Sequence, residues 1–183
     1  MKRLLPLLLL LTLVGCDDGT VATTSTPAAP DSAAAQEPQA AKLVEPGRSC
    51  ADFLFYKAGQ SLPSTVSVDP IALSTGDESA IEIYDPTDVG LTGATSVRIK
   101  GRLNITTEEP HAKFEVSYIS GSDTPIRLDT YAADGSVQQT QYLLADPAHV
   151  VLSQSIEEPG GTKALSLSDG GDAGALSRVC ILQ

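Results

Sequence analysis

Residues 97–106 alternate without a break. Val97, Ile99, Gly101, Leu103 and Ile105 are apolar or small, and Arg98, Lys100, Arg102, Asn104 and Thr106 between them are polar. A period of two is the pattern of a strand with one dry and one wet face, because successive side chains leave a pleated backbone on opposite sides. The same rule covers 112–119, with Phe114, Val116 and Tyr118 inward, and 126–131, with Ile126 and Leu128 inward. Asp134-Gly135 separates the latter from the next expected strand, 137–144, and this dipeptide favours the positive-φ geometry of a tight hairpin. Further strands are expected at 50–57, 64–68, 80–84, 150–156, 162–167 and 176–182. Glu158-Pro159-Gly160-Gly161 and Asp169-Gly170-Gly171-Asp172 supply the turns between the last three. No long segment carries a 3.6-residue period. About nine short strands divided by turn chemistry predict an all-β fold, a single jelly-roll-like β-sandwich over 48–183.

The amino-terminal part obeys other rules. Lys2 and Arg3 precede the Leu-rich run from Leu4 to Val14, and Gly15 precedes Cys16. A positive segment, an apolar segment and a small residue in that order make a secretory leader, and a run of about 11 residues is too short to span a bilayer. Leu13-Val14-Gly15-Cys16 resembles the lipobox of bacterial lipoproteins. The resemblance implies that 1–15 is a signal peptide and that Cys16 becomes the acylated amino terminus, holding the mature chain at a membrane through lipid. In enterobacterial members an Asp after that cysteine favours inner-membrane retention, a pattern that Asp17 and Asp18 match. The rule differs between bacterial groups, which leaves inner and outer membrane open. The expected location is the cell envelope, on the periplasmic side. Residues 16–47, rich in Ala, Thr, Ser and Pro, are expected to form a disordered linker after the lipidated cysteine.

Export also governs the other two cysteines. With Cys16 carrying lipid, Cys50 and Cys180 remain, one opening the β region and one nearly closing it, and an oxidising compartment predicts a disulfide between them. There is no Cys-x-x-Cys, so the bridge is expected to be a staple rather than a redox centre.

Charge narrows the partners. The formal charge is −11, and loss of Lys2 and Arg3 with the leader makes the mature chain two units more negative. Nucleic-acid surfaces and anionic lipid headgroups attract Lys/Arg-rich faces, so neither is an expected partner. The acyl chains remain as the membrane contact. Nucleophile elbows, phosphate loops, dinucleotide fingerprints and zinc-helix motifs are all missing from the sequence, and only His111 and His149 offer imidazole. No catalytic residue, cofactor or metal is assigned. Asp169 with Asp172 and the Asp77-Glu78 turn are acidic, but neither has the spacing of a calcium loop.

The wet face of the central strands is the candidate binding surface. If 97–106 and 126–131 share a sheet, Arg98, Lys100, Arg102, Arg127, Asp129 and Tyr131 gather there, setting donors and an aromatic platform within an acidic domain. The bland alternative is a solvated face with cross-strand pairs such as Arg102 with Glu115. Three functions follow: a non-catalytic envelope lipoprotein that binds a protein partner or serves as an accessory subunit, a carbohydrate-binding module, or an envelope enzyme or inhibitor. An exposed Tyr131 or Tyr142 beside a groove favours glycan; an apolar patch favours protein. The leader gives the first test: Cys16→Ala should move the chain from the membrane fraction to the soluble fraction, and unchanged fractionation would refute lipid as the anchor.

Overall fold

Among residues 41–45, 47–53, 56–84, 95–120, 124–147, 150–171 and 174–183, which a computed structural model describes, the chain forms twelve strands. These are β1 (Ala41–Glu45), β2 (Arg48–Asp52), β3 (Ser61–Leu62), β4 (Thr65–Val68), β5 (Ile71–Thr75), β6 (Ile81–Tyr84), β7 (Ser96–Arg98), β8 (Arg102–Ile119), β9 (Ile126–Tyr131), β10 (Val137–Leu143), β11 (Leu152–Asp169) and β12 (Ala175–Leu182). They belong to the unit Glu37–Gln183. The leader, Cys16, the linker up to residue 40, His149 and Asp172 lie outside the described residues.

Every pairing is antiparallel, and β8 and β11, each of 18 residues, hold the assembly together. Both strands bend. On one side of the bend, Arg102–Thr106 pairs with Ser168–Ala164, β11 pairs with β9 and β9 with β10, and β8 pairs with β5 and β5 with β4. This is sheet one, in the order β4-β5-β8-β11-β9-β10. On the other side, Lys113–Tyr118 pairs with Glu157–Leu152 and with β12, which continues to β2 and β1 and to β7, β6 and β3. This is sheet two. Leu103, Ile105, Leu128, Leu165 and Leu167 of sheet one join Phe114, Val116, Val179 and Ile181 of sheet two in one buried cluster. The fold is therefore an all-β sandwich made by folding one continuous antiparallel sheet upon itself. Each large side chain removed from water contributes about 1.5–3 kcal/mol.

The sequence builds the bend at Pro110 and Gly161. Pro110 has no N–H to give a ladder, and Gly161 takes φ +78°. A Cβ on Gly161 would lie 2.9 Å from Pro110 Cβ, so only glycine lets the strands pass this closely. Thr107 Oγ1 donates to the carbonyls of Glu109 at 2.7 Å and Lys163 at 3.2 Å, satisfying acceptors where the ladder slips. His111 faces Thr162 across the bend and sets its ring edge-on to Phe114, with centroids 6.1 Å apart.

Several expectations need correction. In the 97–106 run Val97, Ile99, Leu103 and Ile105 are buried as expected, but Gly101 is exposed and the run is not one strand. Gly101 at φ +66° interrupts it and carries the chain from β7 in sheet two to β8 in sheet one. The expected turn at Glu158–Gly161 lies inside β11, as the bend. There are twelve strands instead of about nine, because β1, β3 and β5 join the sheet, and β1 falls within the stretch that composition assigns to the linker.

Cys50 and Cys180 are cross-strand partners on β2 and β12 and form a disulfide spanning 130 residues. By alternation they project away from the core row of Ala51, Val179 and Val116, toward Glu115, which ion-pairs with Arg48 at 2.5 Å and Arg178 at 3.6 Å. On the chain-entropy model a loop of this size restricts the unfolded chain by about 5 kcal/mol. Cys50→Ala/Cys180→Ala should cost about 2–5 kcal/mol in chemical denaturation; an unchanged midpoint would show that the ladder alone holds the termini.

Candidate functional site

The ladder of sheet one places its wet residues in rows across the strands. One row runs Arg102, Ser168, Arg127, Tyr142 over β8, β11, β9 and β10. The next runs Thr65, Ser74, Asn104, Ser166, Asp129, Thr140 across the whole sheet, and a third includes Ser67, Ala72, Thr106, Ala164 and Tyr131. The intervening residues Ile105, Leu165, Leu103, Leu167 and Leu128 point into the core. The outer face thus has a middle of hydroxyls and small side chains. Tyr142 stands at its β10 margin, 63% exposed, and a shallow groove of about 220 Å³ lies at the opposite margin, lined by Ser67, Asp69, Ile71, Ala72, Thr106 and Glu108 among others.

Asp129 is the centre of the face. It is only 3% exposed, and its Oδ1 accepts from Arg127 Nε and Nη2, both at 3.1 Å, and from Thr140 Oγ1 at 2.5 Å. A buried carboxylate needs such donors, and charge-assisted bonds are the stronger kind. In return the carboxylate raises the already high pKa of the Arg127 guanidinium, first by the side-chain hydrogen bond and then by its charge, with smaller contributions from Tyr142 and Tyr131. These three bonds all use Oδ1. Beside Asp129 in the ladder, Ser166 is 2% exposed and its Oγ has no hydrogen-bond partner. A buried hydroxyl left unsatisfied is costly.

Of the six residues expected to share one surface, Arg102, Arg127, Asp129 and Tyr131 do. Arg98 and Lys100 do not, because Gly101 sends them to the other sheet. They line a separate open groove of about 530 Å³ with Ile99, Gly101, Thr124, Asp169 and Gly171. There the Arg98 guanidinium lies 5.2 Å from the centre of the Tyr84 ring and Lys100 Nζ lies 2.6 Å from Glu82 Oε1. The suggested pair of Arg102 with Glu115 does not form, since Glu115 is on the sheet-two half of β8 beside Arg48 and Arg178. The Asp77-Glu78 turn is held internally: the Ser79 N–H and Oγ both donate to Asp77 Oδ1, which lowers the Asp77 pKa. Thr140, Ser166 and Asn104 were not singled out by sequence. Their alternation was visible, but only the register of β9, β10 and β11 brings them beside Asp129.

The sequence matches no protein family and no curated protein. Several solved structures are similar to it at a distance, among them the following three. The K2 cleaved adhesin domain of Lys-gingipain aligns over 74% of this chain and 99% of its own length, at 11% identity and a TM-score of 0.46. The enzymatically active domain of tailspike protein 4 from bacteriophage CBA120 aligns over 78% of this chain but 21% of its own, at 15% identity and a TM-score of 0.34. A carbohydrate-binding module from Cellvibrio mixtus lichenase 5A, solved with cellotriose, aligns over 69% of this chain and 98% of its own, at 10% identity and a TM-score of 0.31.

The geometry separates the two arginines of the face. Arg127→Glu sets a carboxylate against buried Asp129 and should lower the melting temperature by several degrees, whereas Arg102→Glu, exposed and without an ion pair among the described residues, should stay within about 2 °C of the parent. Equal behaviour in thermal denaturation would mean that Asp129 does not depend on Arg127.

Proposed function

We propose that this chain is a lipid-anchored, non-catalytic binding module of the bacterial cell envelope, and that the outer face of sheet one takes a glycan. The observation that supports it is the combination of an exposed aromatic ring at the margin, Tyr142, with a fixed ion pair at the centre. Sugars present an apolar face that stacks on an aromatic ring and a rim of hydroxyls that donate to carboxylates and accept from guanidinium groups. Arg127, its side chain 43% exposed, supplies the donors, and buried Asp129 fixes and neutralises it, so the face does not select by net charge. Tyr131, half-buried one row away, offers a second platform. His111 is engaged with Phe114 at the bend, which suits a structural role better than an acid–base one.

A second reading, a protein-binding accessory subunit, draws on another place. Leu144 is 76% exposed and Val150 and Val151 are 46% and 43% exposed. The Leu144 backbone bonds to Tyr118, whose ladder partner is Leu152, so these residues flank the same end of sheet two. Exposed apolar side chains clustered in this way mark protein contacts.

The two readings separate in one experiment. The full chain carrying Cys16→Ala is presented to an envelope glycan array and to solubilised envelope, beside Tyr142→Ala and Leu144→Ser. Glycan retention that falls roughly tenfold or more in Tyr142→Ala alone supports the glycan face. Absence of glycan retention, or retention indifferent to Tyr142, refutes it, and a protein lost only with Leu144→Ser establishes the accessory role.

A further inference from the structure

The edge of sheet one beyond β10 is open. Among the described residues β10 pairs with β9 alone, and six of its seven residues are exposed or half-buried. Exposed edges are ordinarily protected by charge, proline or coverage, because their free N–H and C=O groups accept another strand. Here the run from Ser136 to Ala145, Ser-Val-Gln-Gln-Thr-Gln-Tyr-Leu-Leu-Ala, contains no charged residue and no proline, in a chain whose formal charge is −11. The opposite edge, β4, has only four residues. A β-bulge between Val137 and Gln139 marks the start of β10, and Gln138 is tied back there: its Nε2 donates to the Gly161 carbonyl at 3.1 Å and its Oε1 accepts from Thr162 Oγ1 at 3.2 Å. The regular part, Gln139 to Leu143, remains free to pair.

We propose that two copies of this chain associate through β10, antiparallel about a two-fold axis at Thr140. The occupant is a second copy for two reasons. The segment Gln139-Thr140-Gln141 reads the same in both directions, so a two-fold on Thr140 sets Gln139 opposite Gln141 of the other copy on both sides of the axis, and amide faces amide. Finally, two strongly acidic molecules can meet only where neither presents a carboxylate, and β10 is such a place. Either set of residues can point its backbone groups outward, because a two-fold on Thr140 closes the ladder as a hydrogen-bonded or a non-hydrogen-bonded pair. The joined sheets are continuous, and both outer faces, with their Tyr142 rings, lie on the same side. The pairing uses the edge and not the face, and it stands whether or not that face takes a glycan.

The test is sedimentation equilibrium on the full chain carrying Cys16→Ala, with thermal unfolding as the control on folding. The parent should show a concentration-dependent monomer–dimer equilibrium. Gln139→Lys/Gln141→Lys sets like charges opposite each other at both contacts and should weaken dimerisation at least tenfold. Gln139→Lys/Gln141→Glu sets Lys against Glu in the same register and should restore it. A parent that stays monomeric at the highest concentrations reached overturns the proposal. So does equal dimerisation by all three chains, or failure of the Lys/Glu variant, folded to the same melting temperature, to recover.

Discussion

The bend shared by β8 and β11 is the constraint on which the sandwich depends. Two paired strands of 18 residues are too long for one face of a domain this size, and a continuous straight ladder would leave half of each apolar row in water. The contact of Gly161 with Pro110 lets both strands turn together, and Thr107 supplies the hydrogen bonds that the ladder loses at the slip. Folding the pair brings Leu103 and Ile105 into the same core as Phe114 and Val116, residues of one strand that a straight β8 would hold far apart. A side chain at 161 would therefore act on both sheets at once.

Much of this was legible in the sequence and some was not, for identifiable reasons. Alternation reports which face of a residue is dry, and it did so correctly for Val97, Ile99, Leu103 and Ile105 but not for exposed Gly101, where the chain changes sheets. What alternation does not report is continuity. A glycine at an apolar position satisfies the pattern as a small inward residue and, equally, as a hinge with positive φ. The Glu158–Gly161 segment fails in the opposite sense: it has the composition of a turn, yet it lies inside β11, at the register shift between Glu157 and Thr162 where the ladder with β8 slips. β5 was missed because Ile71-Ala72-Leu73 follows Pro70 closely, and its partners β4 and β8 lie in different parts of the sequence. The disulfide was legible because only two cysteines remained after the leader was accounted for.

The candidate face shows the same division. Arg102, Arg127, Asp129 and Tyr131 could be placed together from periodicity, whereas Arg98 and Lys100 were lost to the other sheet at Gly101. Asp129 was expected outward and solvated. It is on the outer face but covered by its neighbours, and this changes the chemistry: its charge is held by Arg127 and Thr140, so the pair is rigid and nearly neutral instead of a mobile basic patch. A face with organised donors and acceptors loses little conformational entropy on meeting a ligand, and rigid polar groups discriminate better than long free side chains do.

Self-pairing and the membrane anchor, both proposals, reinforce each other physically. Chains confined to a bilayer by lipid meet at a far higher effective concentration than the same chains in bulk, so an edge contact too weak to dominate in dilute solution can be well populated at the surface. The consequence for recognition is avidity. Two Tyr142-bearing faces held coplanar by one continuous sheet engage neighbouring repeats of a polymer together, and the second engagement is intramolecular. A single shallow face with one exposed ring gains little per contact, which is the circumstance in which doubling the face matters most. On this argument the missing charge on β10 is not a lapse in edge protection but the condition that lets an acidic domain meet its own copy.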